Sequence, residues 1–245
     1  MKWLKRIGIL ITWIAVLGGG TFALMSSQTL RNERPIISTQ IEFIYPENQV
    51  FVIEEDLQEI LGNFGAPWDS VSRVEINIPL LEENLRNHPL VLGAEVFSTW
   101  EGVLHIQITQ KEAKARVVNE LGMMYVDAQG GLFPLAAHNS VVLPLVSGCK
   151  DSTDRREALE LLASAANHDA FPGGWSAIAK DETGEFTVYP QWHAHSIRWG
   201  DASEFEQKAH KAQALYAELL QSRTLDSLDW LDVRYSGQVV YGFNN

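Results

Sequence analysis

Cysteine is nearly missing from this chain: Cys149 is the only one in 245 residues. That rules out an intramolecular disulfide and any CxxC zinc or redox pair. Placed after Ser147-Gly148, Cys149 reads as a small, buried apolar residue. Acidic residues are missing from the first thirty positions, where only Lys2, Lys5 and Arg6 carry charge. All 31 acidic residues follow, against sixteen of the 19 basic ones, so residues 31–245 carry a net charge of −15. A surface of that sign repels nucleic acid and anionic lipid. The signatures of catalysis are missing too. No G-x-x-x-x-G-K-[ST] cradles phosphate and no H-E-x-x-H holds zinc. Gly174-Trp175-Ser176-Ala177-Ile178 opens like a nucleophile elbow but lacks the closing glycine, so Ser176 reads as an ordinary turn residue.

What is there suffices for folding: 46% hydrophobic and 20% charged residues fit one or two globular domains. Ile7 to Leu30 contains no charge and follows Lys2, Lys5 and Arg6. The expectation is a cytoplasmic tail at 1–6 and a transmembrane anchor at 7–30, with the bulk of the chain exported. The competing reading is a cleaved signal peptide, with Ile7 to Leu17 as its apolar region and Thr21-Phe22-Ala23 as a poor cleavage site.

After the charged junction Arg31 to Pro35, Gln40 to Tyr45 alternates Ile41, Phe43 and Tyr45 with polar residues, as a half-buried strand does. Glu54 to Leu61 puts Leu57, Ile60 and Leu61 at helical spacing, with acids in the first turn and Gly62 beyond the end. Val74 to Ile78 is a candidate strand. A second helix starts near Pro79, buries Leu81 and Leu85, and stops at His88-Pro89. Ala94 to Trp100 and Val103 to Thr109 form a hairpin about Glu101-Gly102. The fold class is therefore α+β, with helices on one side of a small sheet.

Further on, Ala115 to Val118 continues as a strand, and Met123 to Asp127, a turn through Gly130-Gly131, and Leu132-Phe133-Pro134 read as strand, turn and strand. Asp154 to Asn167 is an amphipathic helix burying Leu159, Leu162 and Ala166. Ser176 to Lys180, Glu185 to Tyr189 and Ser196 to Trp199 are successive strands. Glu204 to Leu220 is a helix burying Phe205, Ala209, Ala212, Tyr216 and Leu219. Trp230 to Tyr235 and Gln238 to Phe243 make a terminal hairpin about Ser236-Gly237. His193-Ala194-His195 is the best metal candidate, because residues two apart on a strand share a face. Two ligands do not make a site, and a third must come from His210, His168 or a carboxylate. The expectation is a solvated strand face, with no metal and no cofactor.

Several of these segments resemble the FtsQ/DivIB family in order and spacing. Leu85-Arg86-Asn87-His88-Pro89-Leu90-Val91, Ala94-Glu95-Val96 and Trp100 to Ile108 resemble its POTRA domain. Ala113 stands where the family's domain junction carries proline. Leu143 to Gly148 resembles its "LP-x-x-x-G" element, and Ile197-Arg198-Trp199-Gly200 its glycine-bearing strand. Leu231-Asp232-Val233-Arg234-Tyr235-Ser236-Gly237-Gln238-Val239 fits its "vDlRY-x-G-x-v" ending. The resemblance implies a POTRA domain at 36–112 with helices on a three-stranded sheet. A β domain at 113–245 follows, with a curved, mainly antiparallel sheet and flanking helices.

It further implies a non-enzymatic, single-pass protein of the bacterial inner membrane. At the division septum it would recruit partners resembling FtsB and FtsL, with no nucleic acid and no small-molecule substrate. A partner strand would add to the edge near the C-terminal hairpin, with Arg234, Tyr235, Gly237 and Phe243 as the partner-binding residues. Two rivals stand beside this reading. A POTRA-containing transport or assembly factor would share the first domain but carry a long barrel after it. An exported metal-dependent hydrolase would use His193 and His195.

Overall fold

The computed structural model describes residues 35–244 except 47, 69, 120 and 121. The anchor and tail expected at 1–30 lie outside the described residues, within which no helix is long and apolar enough to cross a membrane. The chain divides into two compact units, one comprising the chain up to Ile44 with Val52–Gln110 and the other Tyr45–Phe51 with Lys111–Asn245.

The first unit contains β1 (Ser38–Ile44), α1 (Glu54–Asn63), α2 (Ile78–Arg86), β2 (Val91–Ser98) and β3 (Val103–Gln110). Its sheet has the order β1-β3-β2, with β1 parallel and β2 antiparallel to β3. Along β3, Leu104, Ile106 and Ile108 are buried, as are Leu57 and Leu61 of α1 and Leu81 and Leu85 of α2. The period of two on the strand and of three to four on the helices thus closes a single core. Asn77 caps α2 by accepting from the Leu80 N–H at 3.3 Å, and Pro79 occupies its first turn. The strand expected at Val74 to Ile78 does not form. Arg73–Glu75 is a short 3-10 turn with Val74 exposed, and Asn77 already begins the next helix. A side-chain cap so close behind leaves no room for a ladder.

The second unit contains β4 (Ala115–Asn119), β5 (Gly122–Val126), β6 (Leu132–Phe133), β7 (Leu145–Ser147), α3 (Ser152–Ala166), β8 (Trp175–Lys180), β9 (Phe186–Pro190), β10 (Ser196–Gly200), α4 (Phe205–Ser222), β11 (Leu228–Asp232) and β12 (Val240–Phe243). They build one nine-stranded sheet in the order β12-β11-β10-β9-β8-β7-β4-β5-β6. It is mixed, with five antiparallel and three parallel pairings. Two parallel pairs, β7 with β8 and β10 with β11, are each bridged by a helix, as parallel neighbours require. All four strands run the same way and both crossovers step toward β12, so the right-handed rule puts α3 and α4 on one face. One core agrees with this: Ala158, Leu161, Leu162 and Ala165 of α3 and Ala209, Ala212, Leu215 and Leu219 of α4 cluster with Val146, Ile178, Val188, Ile197 and Leu231 of the strands.

The face buried by α3 is one step round from the expected one. Ala158, Leu161 and Ala165 are buried where Leu159 and Ala166 were expected. Asp151 caps this helix, accepting from Thr153 N and Asp154 N. The short Tyr45–Phe51 segment packs into the second unit. Phe51 is 1% exposed and stacks on Tyr125 at 4.7 Å. Gln49 exchanges two 2.8 Å hydrogen bonds with the backbone of Ala113.

Candidate functional site

The nine-stranded sheet ends at β12, which pairs with β11 alone. Register fixes which residues share a face. Ile197, Leu231 and Tyr241 are aligned across β10, β11 and β12. Since Ile197 and Leu231 are fully buried under α4, Tyr241 lies on the helix-covered side of the sheet. Leu228, also buried, pairs with Phe243. Tyr241 is 38% and Phe243 45% exposed, with ring centroids 5.5 Å apart in an edge-on arrangement. The apolar face therefore runs past the core and reaches solvent at the edge strand. On the opposite face Ser196, Trp230 and Gly242 are aligned. Trp230 lies across Gly242, so that a Cβ there would come within 2.5 Å of the indole Nε1. The Arg198 guanidinium stacks on Trp230 at 4.6 Å.

The loop from Val233 to Val239 is held by charge. Asp232 is 2% exposed. Arg234 donates to it from Nε at 2.9 Å and from Nη2 at 2.6 Å, and the Arg234 backbone N–H adds a third bond. Burial alone would push the Asp232 carboxyl up, but these bonds and the guanidinium charge hold it below the usual carboxylate range. Arg234 is shifted further toward its charged form, by its bond to Asp232 first and by Glu185 at 2.5 Å as well. Its side chain crosses Gly200, where φ is +81° and a Cβ would meet Arg234 Cγ at 2.9 Å. From α4, Lys211 donates to the carbonyls of Val233 and of Tyr235, the latter at 2.8 Å. Tyr235, 47% exposed, is carried on this fixed backbone with the guanidinium carbon 5.8 Å from its ring. Gly237 has φ +71° and open space around it, as a turn residue needs.

The four residues singled out in the sequence thus gather in one region, the loop after β11 and the strand it leads to. Arg234 and Tyr235 are not strand residues, because β11 ends at Asp232. Sequence reasoning missed Asp232, Lys211, Glu185, Gly200 and Trp230. A buried acid reads as solvent-facing in an alternating pattern; Lys211, Gly200 and Glu185 lie 22 to 48 residues before the loop they touch, and Trp230 packs on Gly242 of the edge strand.

His193 and His195 sit in a bend between β9 and β10, not on a strand. Their Nδ1 atoms are 3.1 Å apart, His195 Nε2 meets the Tyr216 hydroxyl at 2.8 Å, and His193 Nε2 lies 3.6 Å from Asp226. Burial, then the neighbouring His193, pushes His195 down to about 4. His168 and His210, weighed as third ligands, instead face each other with centroids 6.0 Å apart. Among the described residues no three His, Cys, Asp or Glu side chains converge as metal ligands. Ser176 lies within β8, its hydroxyl donating to the Tyr189 carbonyl at 3.1 Å.

These features define a two-unit α+β protein whose second unit ends in an open sheet edge bearing aromatics. The chain belongs to the FtsQ/DivIB family: the family described as "FtsQ/DivIB, C-terminal related" matches residues 113–241, more than half its length. It is similar to the cell division protein FtsQ of Anaeromyxobacter sp. (strain K), 29% identical over 177 residues that make up 63% of this chain and 58% of that protein. The chain thus spans little more than half the length of this curated relative.

Proposed function

We propose that the protein is a non-enzymatic, membrane-anchored scaffold that recruits division proteins to the septum. Its second unit takes up a strand of a partner resembling FtsB, with an FtsL-like chain in the same assembly. The first unit, read as a POTRA domain, serves other division proteins. The observation that supports this is β12, a four-residue edge strand that carries exposed Tyr241 and Phe243, with exposed Tyr235 in the loop before it. An edge strand offers unpaired backbone groups to an incoming chain, and alternate side chains supply specificity. A strand this short contributes few backbone bonds, so the aromatic side chains must carry much of the affinity, as anchoring tyrosines do at interfaces. Arg234 acts mainly on the loop that presents Tyr235, and Gly237 permits its turn.

The test is capture of the FtsB-like partner by the membrane-extracted full chain. Tyr235→Glu should abolish capture while circular dichroism stays unchanged, and Phe243→Ala should weaken it. Undiminished capture by Tyr235→Glu overturns the proposed interface.

A further inference from the structure

The three-stranded sheet of the first unit ends in two unlike edges. In the hairpin of β2 and β3 the Thr99 N–H donates to Val103 O at 2.9 Å, so Val103 and every second residue after it face β2. Leu104 and Ile106 therefore turn their backbone groups to β1. In a parallel pair each residue bonds to the two that flank its partner. Thr39 and Ile41 are aligned with Leu104 and Ile106, so these bonds go to Ser38, Gln40 and Glu42. Thr39 and Ile41 thus point their own N–H and C=O outward, and β1 has no second neighbouring strand among the described residues. The β2 edge is closed at its middle, where the outward Val96 N–H donates to Glu82 Oε1 of α2 at 2.8 Å.

The helix layer also stops short of β1. Thr39 and Ile41 are half-buried, although Leu104 and Ile106 beside them are fully buried. A groove of about 500 Å³ opens there, with Thr39, Ile41, Glu54, Gln58, Leu61 and Trp68 in its lining. Buried Leu61 and Trp68 give it an apolar floor, and Glu54 is exposed at its rim. A strand added to β1 carries every second side chain over this groove. Charge narrows the choice of occupant. Residues 38–72 hold seven acids and no lysine, arginine or histidine. A second copy presenting the same edge would set like charges together, and an anionic surface is repelled as well, whereas a basic strand is drawn in.

We propose that the β1 edge and the groove beside it take up a basic, extended segment of a partner protein, with an aliphatic side chain seated against Leu61 and Trp68. This site belongs to the other unit from β12 and goes beyond the reading above. Its failure leaves capture at β12 standing.

The test uses the membrane-extracted full chain and the fluorescein-labelled peptide Lys-Val-Lys-Val-Thr-Val-Lys, with glutamate in place of each lysine as the acidic control. By anisotropy the basic peptide should bind at least tenfold more tightly than the acidic one. Residue-resolved amide exchange should slow at positions 39 and 41 when it is added, with no change at 40 and 42, which face β3. Thr39→Pro removes an outward N–H and spares the ladder to β3. Gly62→Leu fills the groove from α1, where a Cβ meets nothing within 4 Å. Each should weaken binding at least tenfold with circular dichroism unchanged, and if one fails to fold the other decides. Protection confined to residues 240–243 overturns the proposal, as does equal binding of the acidic peptide or binding of neither. Slow exchange at 39 and 41 in the chain alone overturns it too, because a second copy or the chain's own segment then holds the edge.

Discussion

At the residue scale, the pair formed by Asp232 and Arg234 governs the candidate interface without needing to touch a partner. Asp232 is nearly inaccessible, and its charge is tolerated only because the guanidinium meets it with two donors. Breaking a fully buried pair by removing one member costs about 3–5 kcal/mol. Arg234 keeps 30% of its side chain exposed, so Arg234→Met should cost less, about 2–3 kcal/mol in urea unfolding. The pH dependence has a definite sign. A carboxyl held below its unfolded value contributes stability that is full above the unfolded pKa, about 4, and fades as pH falls through the lower folded value. The stability gap between the wild type and Asp232→Asn should therefore be flat above about pH 5 and shrink below about pH 4. A gap that widens on acidification would contradict the assignment of charge to this pair. None of this was legible in the sequence, where Leu231, Val233 and Tyr235 alternate so regularly that they read as a strand. The chain leaves the strand at Asp232 because the arginine two residues on folds back to neutralise it.

At the element scale, helices were easiest to read and pairings hardest. Helix limits follow from local chemistry, such as Asn77 and Asp151 at N-caps, and those signals lie within a few residues of what they control. The face of α3 was misread because Ala158 and Ala165 carry little weight in a hydrophobic pattern, yet let the helix lie close against the sheet. The parallel pairing of β10 with β11 joins residues 34 apart in the chain, and no local pattern encodes a partner at that distance. The edge strand also depends on a missing side chain. Gly242 is ordinary in its backbone, but an added methyl group would strike the Trp230 indole. Gly242→Ala should displace that ring from Arg198 or push β12 off β11, with a loss of about 1–3 kcal/mol. The same variant should weaken partner capture, measured side by side with Phe243→Ala.

At the scale of the whole molecule, the single cysteine is a native reporter for the second unit. Cys149 is half-buried against the core, and burial, followed by Asp154, pushes its thiol up to about 11. Raised from 9, it holds on the order of 100-fold less thiolate near neutrality, so maleimide labelling should wait on opening of the unit. Phe51→Ala removes a ring stacked on Tyr125, and a buried phenylalanine truncated to alanine costs roughly 3–5 kcal/mol. The variant should accelerate Cys149 labelling strongly, although residue 51 lies 98 positions earlier. Unchanged labelling would mean that Phe51 is not part of that unit's core. No local pattern hinted at this, because a short segment that leaves one unit, completes another and returns has no period of its own.

That excursion bears on how the protein can be inherited or engineered in pieces. A gene fusion or domain exchange made at the visible junction near Ala113 would carry the sheet and both its helices. It would leave behind Gln49, which hydrogen-bonds Ala113, and Phe51, which fills the space beside Tyr125 and Phe133. The two units are therefore not interchangeable modules. A hybrid between relatives must take Tyr45–Phe51 from the same parent as residues 111 onward, and natural recombination is constrained to do the same.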